Sequence, residues 1–340
     1  MKKSPAGENG RLHAKGGTGE DGSRMAKLSA RLGALFDLIP PCPFAVDVGC
    51  DHGYIPIALV RSGKCENALA CDVRPGPLNK AEEHIRAAGL EDRIRTVLSD
   101  GLKNPEIFSR IRNFSQNAGQ KDPAGEDKCG FAGEDKCGSA REEKLGSAGE
   151  NKCRKDSDDE DRTGTLIIAG MGGILMRDIL ENAPALKESF SCLVLQPQSD
   201  LSFVREWLSR NGWRIRDEFA LVEDGKYYEG FAAEQGRMVL TPEEARFGPV
   251  LLRSGNPAVR DHLLKQKEVR ENILKELEES REERILSRRG ELQEERILSR
   301  RGDLLEERIL SRSKELQEEL EQIEAGLALF ENGNGSVQII

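Results

Sequence analysis

The chain has 340 residues, of which 51 are basic and 60 acidic, giving a net charge of −9 with 37% hydrophobic and 33% charged residues. That balance fits about two domains and one substantial core with polar extensions. It excludes a bulk polycation and a membrane protein, since no apolar run reaches the ~18 residues of a spanning helix. Eight cysteines without a Cys-x-x-Cys pair fit reduced thiols in a cytoplasmic protein better than a disulfide scaffold.

Residues 1–24 are rich in Gly, Lys and Ser, lack the apolar stretch of a secretory signal, and read as a disordered tail. From Met25 the texture changes. Leu28, Leu32, Leu35, Phe36 and Ile39 recur at helical spacing, and Pro40-Pro41 ends the pattern. An α/β alternation follows. FAVDV (44–48), NALACDV (67–73), IRTVLSD (94–100), TLIIAG (165–170) and CLVLQP (192–197) read as strands, and 54–62, 77–89, 174–182 and 200–210 as helices. Runs such as LIIA and LVL are apolar without alternation, as in parallel strands covered on both faces. Segments 213–222 and 226–233 flank Asp224-Gly225, which predicts an antiparallel hairpin at one sheet edge.

Residues 113–163 interrupt this scheme with an octad repeat, AGEDKCGF (124–131) and its copies, followed by an acidic run. Almost nothing there is apolar, so a disordered surface insertion is expected. Cys129, Cys137 and Cys153 recur because the repeat recurs, not at ligand spacing, so no metal site is expected. From Pro257 to about Phe330 the sequence is helical in character and carries a 12-residue unit, EERILSRRG, at 282–290 and 294–302 and in decayed form at 306–313. Twelve residues rotate a helix about 120° past three full turns, so successive copies face different ways and no heptad seam runs through them. A helical hairpin with an expanded tip follows. The domains are then 25–236, an α/β domain interrupted at 113–163; 237–332, a helical, coiled-coil-like domain; and 333–340, a short tail.

The chemistry concentrates at strand ends. Asp47-x-Gly49-x-Asp51-x-Gly53 lies between a strand and a helix beginning near Tyr54. Glycines permit a tight turn and a close backbone approach. A pyrophosphate-binding turn would not carry acids, whereas Asp47 and Asp51 suit a ligand with an ammonium and a sulfonium, which points to S-adenosylmethionine. Asp72 and its neighbour Val73 end the next strand, at a spacing where an acid accepts bonds from ribose hydroxyls. Asp100 and Gly101 end the third strand, within reach of an adenine amino group. The fourth strand ends in Ala169-Gly170-Met171-Gly172-Gly173, whose bare backbone suits a flat base or the methyl donor, and the fifth in Gln196-Pro197-Gln198, where the Gln196 amide is placed to read a base edge.

DVGCDHGYIPIAL (47–59), AGMGG (169–173), LVLQPQ (193–198), REWLSRNGW (205–213) and EDGKYYE (223–229), in this order, resemble the bacterial TrmK family of tRNA (adenine(22)-N1)-methyltransferases. The resemblance covers roughly 25–112 and 164–236, and more loosely the helical C-terminus; the octad insertion and the 12-residue repeats depart from it. It implies a class I Rossmann-like methyltransferase domain followed by a small coiled-coil domain, S-adenosylmethionine as cofactor and tRNA as substrate. It also implies direct attack by adenine N1, with Asp51, His52, Gly170, Met171 and Gln196 at the reacting centre and no covalent role for Cys50 or Cys71. Asp51 and His52 would hold the cofactor or take a proton, and for His52 positioning and general-base roles both stand. Lys27, Arg31 and Arg177 are the candidate RNA contacts near the active face. Residues 265–325 carry 14 basic against 18 acidic residues, so that extension reads as a solvated, ion-paired helix as readily as a phosphate-binding one. A monomer is favoured. The alternatives are a methyltransferase of the same fold acting on another RNA or a small molecule, and a non-catalytic scaffold that binds the cofactor.

Overall fold

A computed structural model of the chain describes residues 28–117, 163–290 and 296–332. The expected tails, the octad insertion from residue 118 onward and the tip of the helical extension lie outside these residues.

Helix α1 (Ala30–Leu38) begins at Ser29, whose hydroxyl accepts the Leu32 N–H and caps the first turn. The sheet then builds as β1 (Cys42–Val48), α2 (Tyr54–Arg61), β2 (Cys65–Asp72), α3 (Pro75–Ala87), β3 (Ile94–Leu98), α4 (Pro105–Asn117), β4 (Gly164–Gly172), α5 (Gly173–Glu181), the single turn α6 (Leu186–Ser189), β5 (Phe190–Ser199), α7 (Leu201–Arg210), β6 (Trp213–Glu223) and β7 (Lys226–Gln235). Seven strands lie in the order β3-β2-β1-β4-β5-β7-β6. The first five are parallel; β7 pairs antiparallel with β5 and with β6, the outermost strand. This is the expected Rossmann-like methyltransferase sheet, with its hairpin at the edge. Asp224 and Gly225 both have positive φ, 49° and 75°, as the tight turn between β6 and β7 requires.

The unbroken apolar runs have their reason in two cores. Phe44, Val46 and Val48 of β1 and Leu166 and Ile168 of β4 face one core with residues of α4, α5 and α7. Ala45 and Ile167, one residue out of step, face the other with residues of α1 and α2. Side chains alternate in direction along a strand, so a strand covered on both sides needs apolar residues at every position. One expectation is corrected here. The chain does not leave the fold at residue 113: α4 continues to Asn117, because Ile107 and Ile111 are buried in the first core with Phe108 and Phe114 packed against it.

The helical part is α8 (Pro242–Phe247), α9 (Pro249–Ser254), α10 (Pro257–Gly290) and α11 (Arg296–Asn332). The last two run antiparallel, tied by Lys267–Glu324 at 2.7 Å, Arg270–Glu319 at 2.6 Å and Arg281–Glu306 at 3.9 Å. Ile309, Leu316 and Ile323, spaced by seven, are all buried, so a heptad seam does begin, and the last repeat copy joins it through Ile309. Ile285 of the first copy, which lies on α10, is exposed. Among the described residues no helix is long and apolar enough to cross a membrane.

A buried charge cluster joins sheet and helices. The fully buried Arg205 of α7 donates to Glu218 of β6 at 3.0 Å, to Glu229 of β7 at 2.6 Å, and to the carbonyls of Ala245 and Arg246 at the end of α8. Glu218 accepts in turn from the N–H groups of Val250 and Leu251. Every guanidinium nitrogen and every carboxylate oxygen of the cluster finds a partner, Glu229 through the Tyr227 hydroxyl as well, the condition under which a buried ion cluster is tolerated.

Candidate active site

The cleft forms where β1, β2 and β4 end. Beyond Val48 the chain swings toward β2: Gly49 and Cys50 both donate their N–H to the Cys71 carbonyl, at 2.8 and 2.9 Å. Gly49 takes φ +78°, a backbone conformation that favours glycine, and the Met171 methyl of the β4 turn lies where a Cβ would stand. Asp51 follows with φ 48° and Gly53 with 72°. A Cβ at Gly53 would sit 3.1 Å from that of Ala81, which seats the start of α2 against α3. The result is a cavity of about 440 Å³, within the usual range for a small-molecule site.

Two carboxylates are buried in its wall. Asp47 and Asp72 are each 5% exposed. Burial, and then the charge of Asp72, push the Asp47 carboxyl up to about 7. Asp72 accepts the Arg74 backbone N–H at 2.9 Å, and the Arg74 guanidinium lies 3.9 Å from the same oxygen. Asp51 stands exposed on the rim, with Val73 equally open beside Asp72. Asp100 is exposed and paired with Lys103 at 2.5 Å, while Gly101 continues the wall. Ala169, Gly170 and Met171 close the opposite side. Eight of the nine residues expected to hold the cofactor, Val73 among them, thus line one cavity or its rim, and the ninth, Gly53, is in the turn behind it. Burial first, and Asp47 second, push the Cys50 and Cys71 thiols up, so neither is a ready nucleophile.

Other expected residues have different surroundings. His52 is not in the lining: its ring packs beside Tyr54 and His84, at centroid distances of 5.5 and 5.7 Å, and its Nε2 is 3.7 Å from Asp51. Gln196 is fully buried, and its amide oxygen already accepts from Arg31 at 2.9 Å and from the Gly170 N–H at 3.2 Å. It holds the glycine turn in place instead of offering a free edge. Arg31 lines the cleft but is committed to Gln196, with its backbone N–H bonded to Glu223. Arg177 is held by Asp178 and Glu181, both at 2.9 Å. Lys27 lies outside the described residues. Sequence reading passed over Gln198, Tyr54 and Ser99, which also line the cleft. Gln198 sits two residues beyond Gln196 in the same strand, and that period-two spacing was the signal available for it. Among the described residues no group of three His, Cys, Asp or Glu side chains is placed to hold a metal ion.

Residues 28–111 match the profile of a methyltransferase domain, and residues 155–302 that of tRNA (adenine(22)-N(1))-methyltransferase. A candidate tRNA methyltransferase of Mycoplasma pneumoniae is 35% identical over 209 residues, which is 61% of this chain and 71% of that protein. The chain belongs to the tRNA (adenine(22)-N(1))-methyltransferase family. The Bacillus subtilis member of the family is 28% identical over 210 residues, 62% of this chain, and the match spans 66% of that protein's length. A Streptococcus pneumoniae candidate tRNA (m1A22) methyltransferase superposes with a TM-score of 0.58 at 25% identity, covering 88% of this chain and all of that one. TrmK of M. capricolum, solved with S-adenosyl-homocysteine, shares the fold at 20% identity, with a TM-score of 0.57 over 89% of this chain and 99% of that one.

Proposed function

We propose that this family member transfers a methyl group from S-adenosylmethionine to N1 of adenine 22 of tRNA, in the cytoplasm, using the cleft at the ends of β1, β2 and β4. The observation that carries the reading is the pair of buried carboxylates, Asp47 and Asp72, in a glycine-turned cavity of suitable size. Buried acids without a matching buried cation favour a ligand that brings positive charge. Asp47 would face the ammonium of the cofactor's amino-acid end, and Asp72 its ribose hydroxyls. Asp100 and Gly101 would border the adenine, with Val73 as an apolar edge for the ring. Gly49, Gly53 and Ala169 keep the backbone close.

S-adenosylmethionine held there would supply a methyl on a sulfonium to the in-plane lone pair of adenine N1, the C–S bond breaking to leave S-adenosylhomocysteine and a cationic base. The protein's part is then alignment and charge placement, not covalent chemistry. Gly170 and Met171 form the floor beside the reacting centre. Gln196 acts on that floor as a positioning residue, through its bond to the Gly170 N–H. Asp51 on the rim is the carboxylate nearest the solvent side, suited to receive a proton shed by the methylated base. His52, turned toward Tyr54 and His84, supports Asp51 from behind.

A radiolabelled methyl-transfer assay tests this with unmodified tRNA carrying adenine or guanine at position 22. Incorporation is expected only with adenine, at N1. Label that appears regardless of that base defeats the specificity, and no label on any tRNA defeats the activity.

A further inference from the structure

A second cavity, of about 680 Å³, opens across the end of β5 from the first. The β6–β7 hairpin, α8 and α10 enclose it, and Gln198 lines both cavities. Its charge is opposite to that of the cleft. The lining holds three cations, Lys226, Arg246 and Arg270, and one carboxylate, Glu229. Glu229 is already committed to Arg205 and to the Tyr227 hydroxyl at 2.8 Å. A concentration of positive charge in a chain of net charge −9 is a local device. Arg270 is bonded to Glu319 and Arg246 to Gln322, so both guanidiniums are held in place. Burial, and then the proximity of Arg270, lower the proton affinity of Arg246 against a smaller opposing pull from Glu319, so the two guanidiniums stand near each other on one wall. Lys226 is exposed and makes no ion pair among the described residues. The wall is also aromatic: the rings of Tyr227 and His262 lie parallel, 3.8 Å apart at 4°. Burial pushes the His262 imidazole down, so it presents an uncharged face.

We propose that this cavity seats the tRNA nucleotide adjoining the target adenine, with its phosphate on Arg246, Arg270 and Lys226 and its base against the Tyr227–His262 pair, while Gln198 marks the passage into the methyl-donor cleft. Cations that hold phosphate beside aromatic rings that stack bases are the two elements of single-strand recognition. The inference rests on the proposed tRNA reaction and deepens it.

The test uses the full-length protein with unmodified tRNA and compares Lys226→Glu, Arg270→Gln and Tyr227→Leu with the parent chain. Three quantities are read: Kd for tRNA across a salt series, KM and kcat for methyl transfer, and Kd for S-adenosylmethionine. Lys226→Glu, a surface change, is expected to weaken tRNA binding ~5-fold or more and to shrink the log Kd against log salt slope by about one charge. Arg270→Gln is expected to raise KM for tRNA ~10-fold, with S-adenosylmethionine affinity within about 2-fold of the parent's. Tyr227→Leu is expected to raise KM several-fold without changing the salt slope. An unchanged tRNA Kd and salt slope in Lys226→Glu overturns the proposal, even if Arg270→Gln or Tyr227→Leu proves poorly folded. If the parent binds tRNA through these residues but transfers no methyl, the proposed activity fails while the nucleotide site stands. If it methylates adenine 22 and all three variants match it, the site fails while the activity stands.

Discussion

The two cavities on either side of the β5 end are built from opposite materials. The cleft at β1, β2 and β4 has buried carboxylates beside glycine turns, and most of its residues come from the ends of parallel strands and the turns that follow them. The cavity at the hairpin has cations and aromatic rings, drawn from β7, α8 and α10, which are far apart in sequence. The first is a consequence of parallel topology, because every strand of such a sheet delivers its C-terminal residue to the same edge. The second exists only because the helical part docks on the sheet, and the docking is held by Arg205, Glu218 and Glu229. One site is therefore expected to tolerate damage to the helical junction and the other is not.

The largest effect should come from that junction. Arg205→Ala leaves two glutamates buried without their cation, a change that costs about 3–5 kcal/mol. Urea unfolding should show it as a fall in the midpoint, with the helical part released first in hydrogen exchange. A variant as stable as the parent would mean that the cluster does not hold the junction. Next, Asp47→Ala should weaken S-adenosylmethionine binding by about 100-fold in calorimetry while the protein stays folded. Retained affinity would remove Asp47 from the site.

The raised Asp47 carboxyl gives two pH effects of opposite direction. A cationic ligand needs the ionised form, so affinity should fall by up to ~10-fold per unit as pH drops below about 7 and stay level above it, and Asp47→Asn should flatten the profile. For the free protein the sign reverses. The folded state holds this proton more tightly than the ordinary value of 3.8 allows, so the contribution of Asp47 to stability is lost as pH climbs from about 4 through about 7. Asp47→Asn should then melt higher than the parent at pH 8, and by less at pH 5. Equal gaps at the two pH values would show that Asp47 is already ionised in the free protein.

Smaller changes sharpen the roles. Gln196→Leu removes the acceptor of both Arg31 and the Gly170 N–H and should lower kcat about 10-fold, with little change in cofactor Kd, if it positions the turn. A proportionate loss in cofactor binding would place it in the binding site instead. Asp100→Asn, at an exposed group paired with Lys103, should weaken cofactor binding only a few-fold.

Much of the acidic cleft was legible because its grammar is local. A strand pattern followed by Asp and Gly states which residue ends the strand, and parallel topology collects those ends, so Asp47, Asp72 and Asp100 could be grouped from spacing alone. The roles of His52 and Gln196 were not legible in the same way. Their positions were read correctly as strand-end and turn positions, but the direction of a side chain there depends on neighbours distant in sequence: His84 and Tyr54 for one, Arg31 for the other. The motifs REWLSRNGW and EDGKYYE stood out as signatures without a physical reason. The structure supplies one, since Arg205 and Glu229, their first and last residues, meet at 2.6 Å inside the junction.

By itself the sequence determined the sheet, its buried strands, the hairpin at Asp224-Gly225 and the acidic edge, because periodicity and turn chemistry act over a few residues. Only the tertiary structure decided that the helices carry a heptad seam through Ile309, Leu316 and Ile323, that Asp47 and Asp72 share one buried wall, and that a basic cavity lies beside them. Burial and the meeting of charges are properties of packing between distant segments, and no local pattern encodes them.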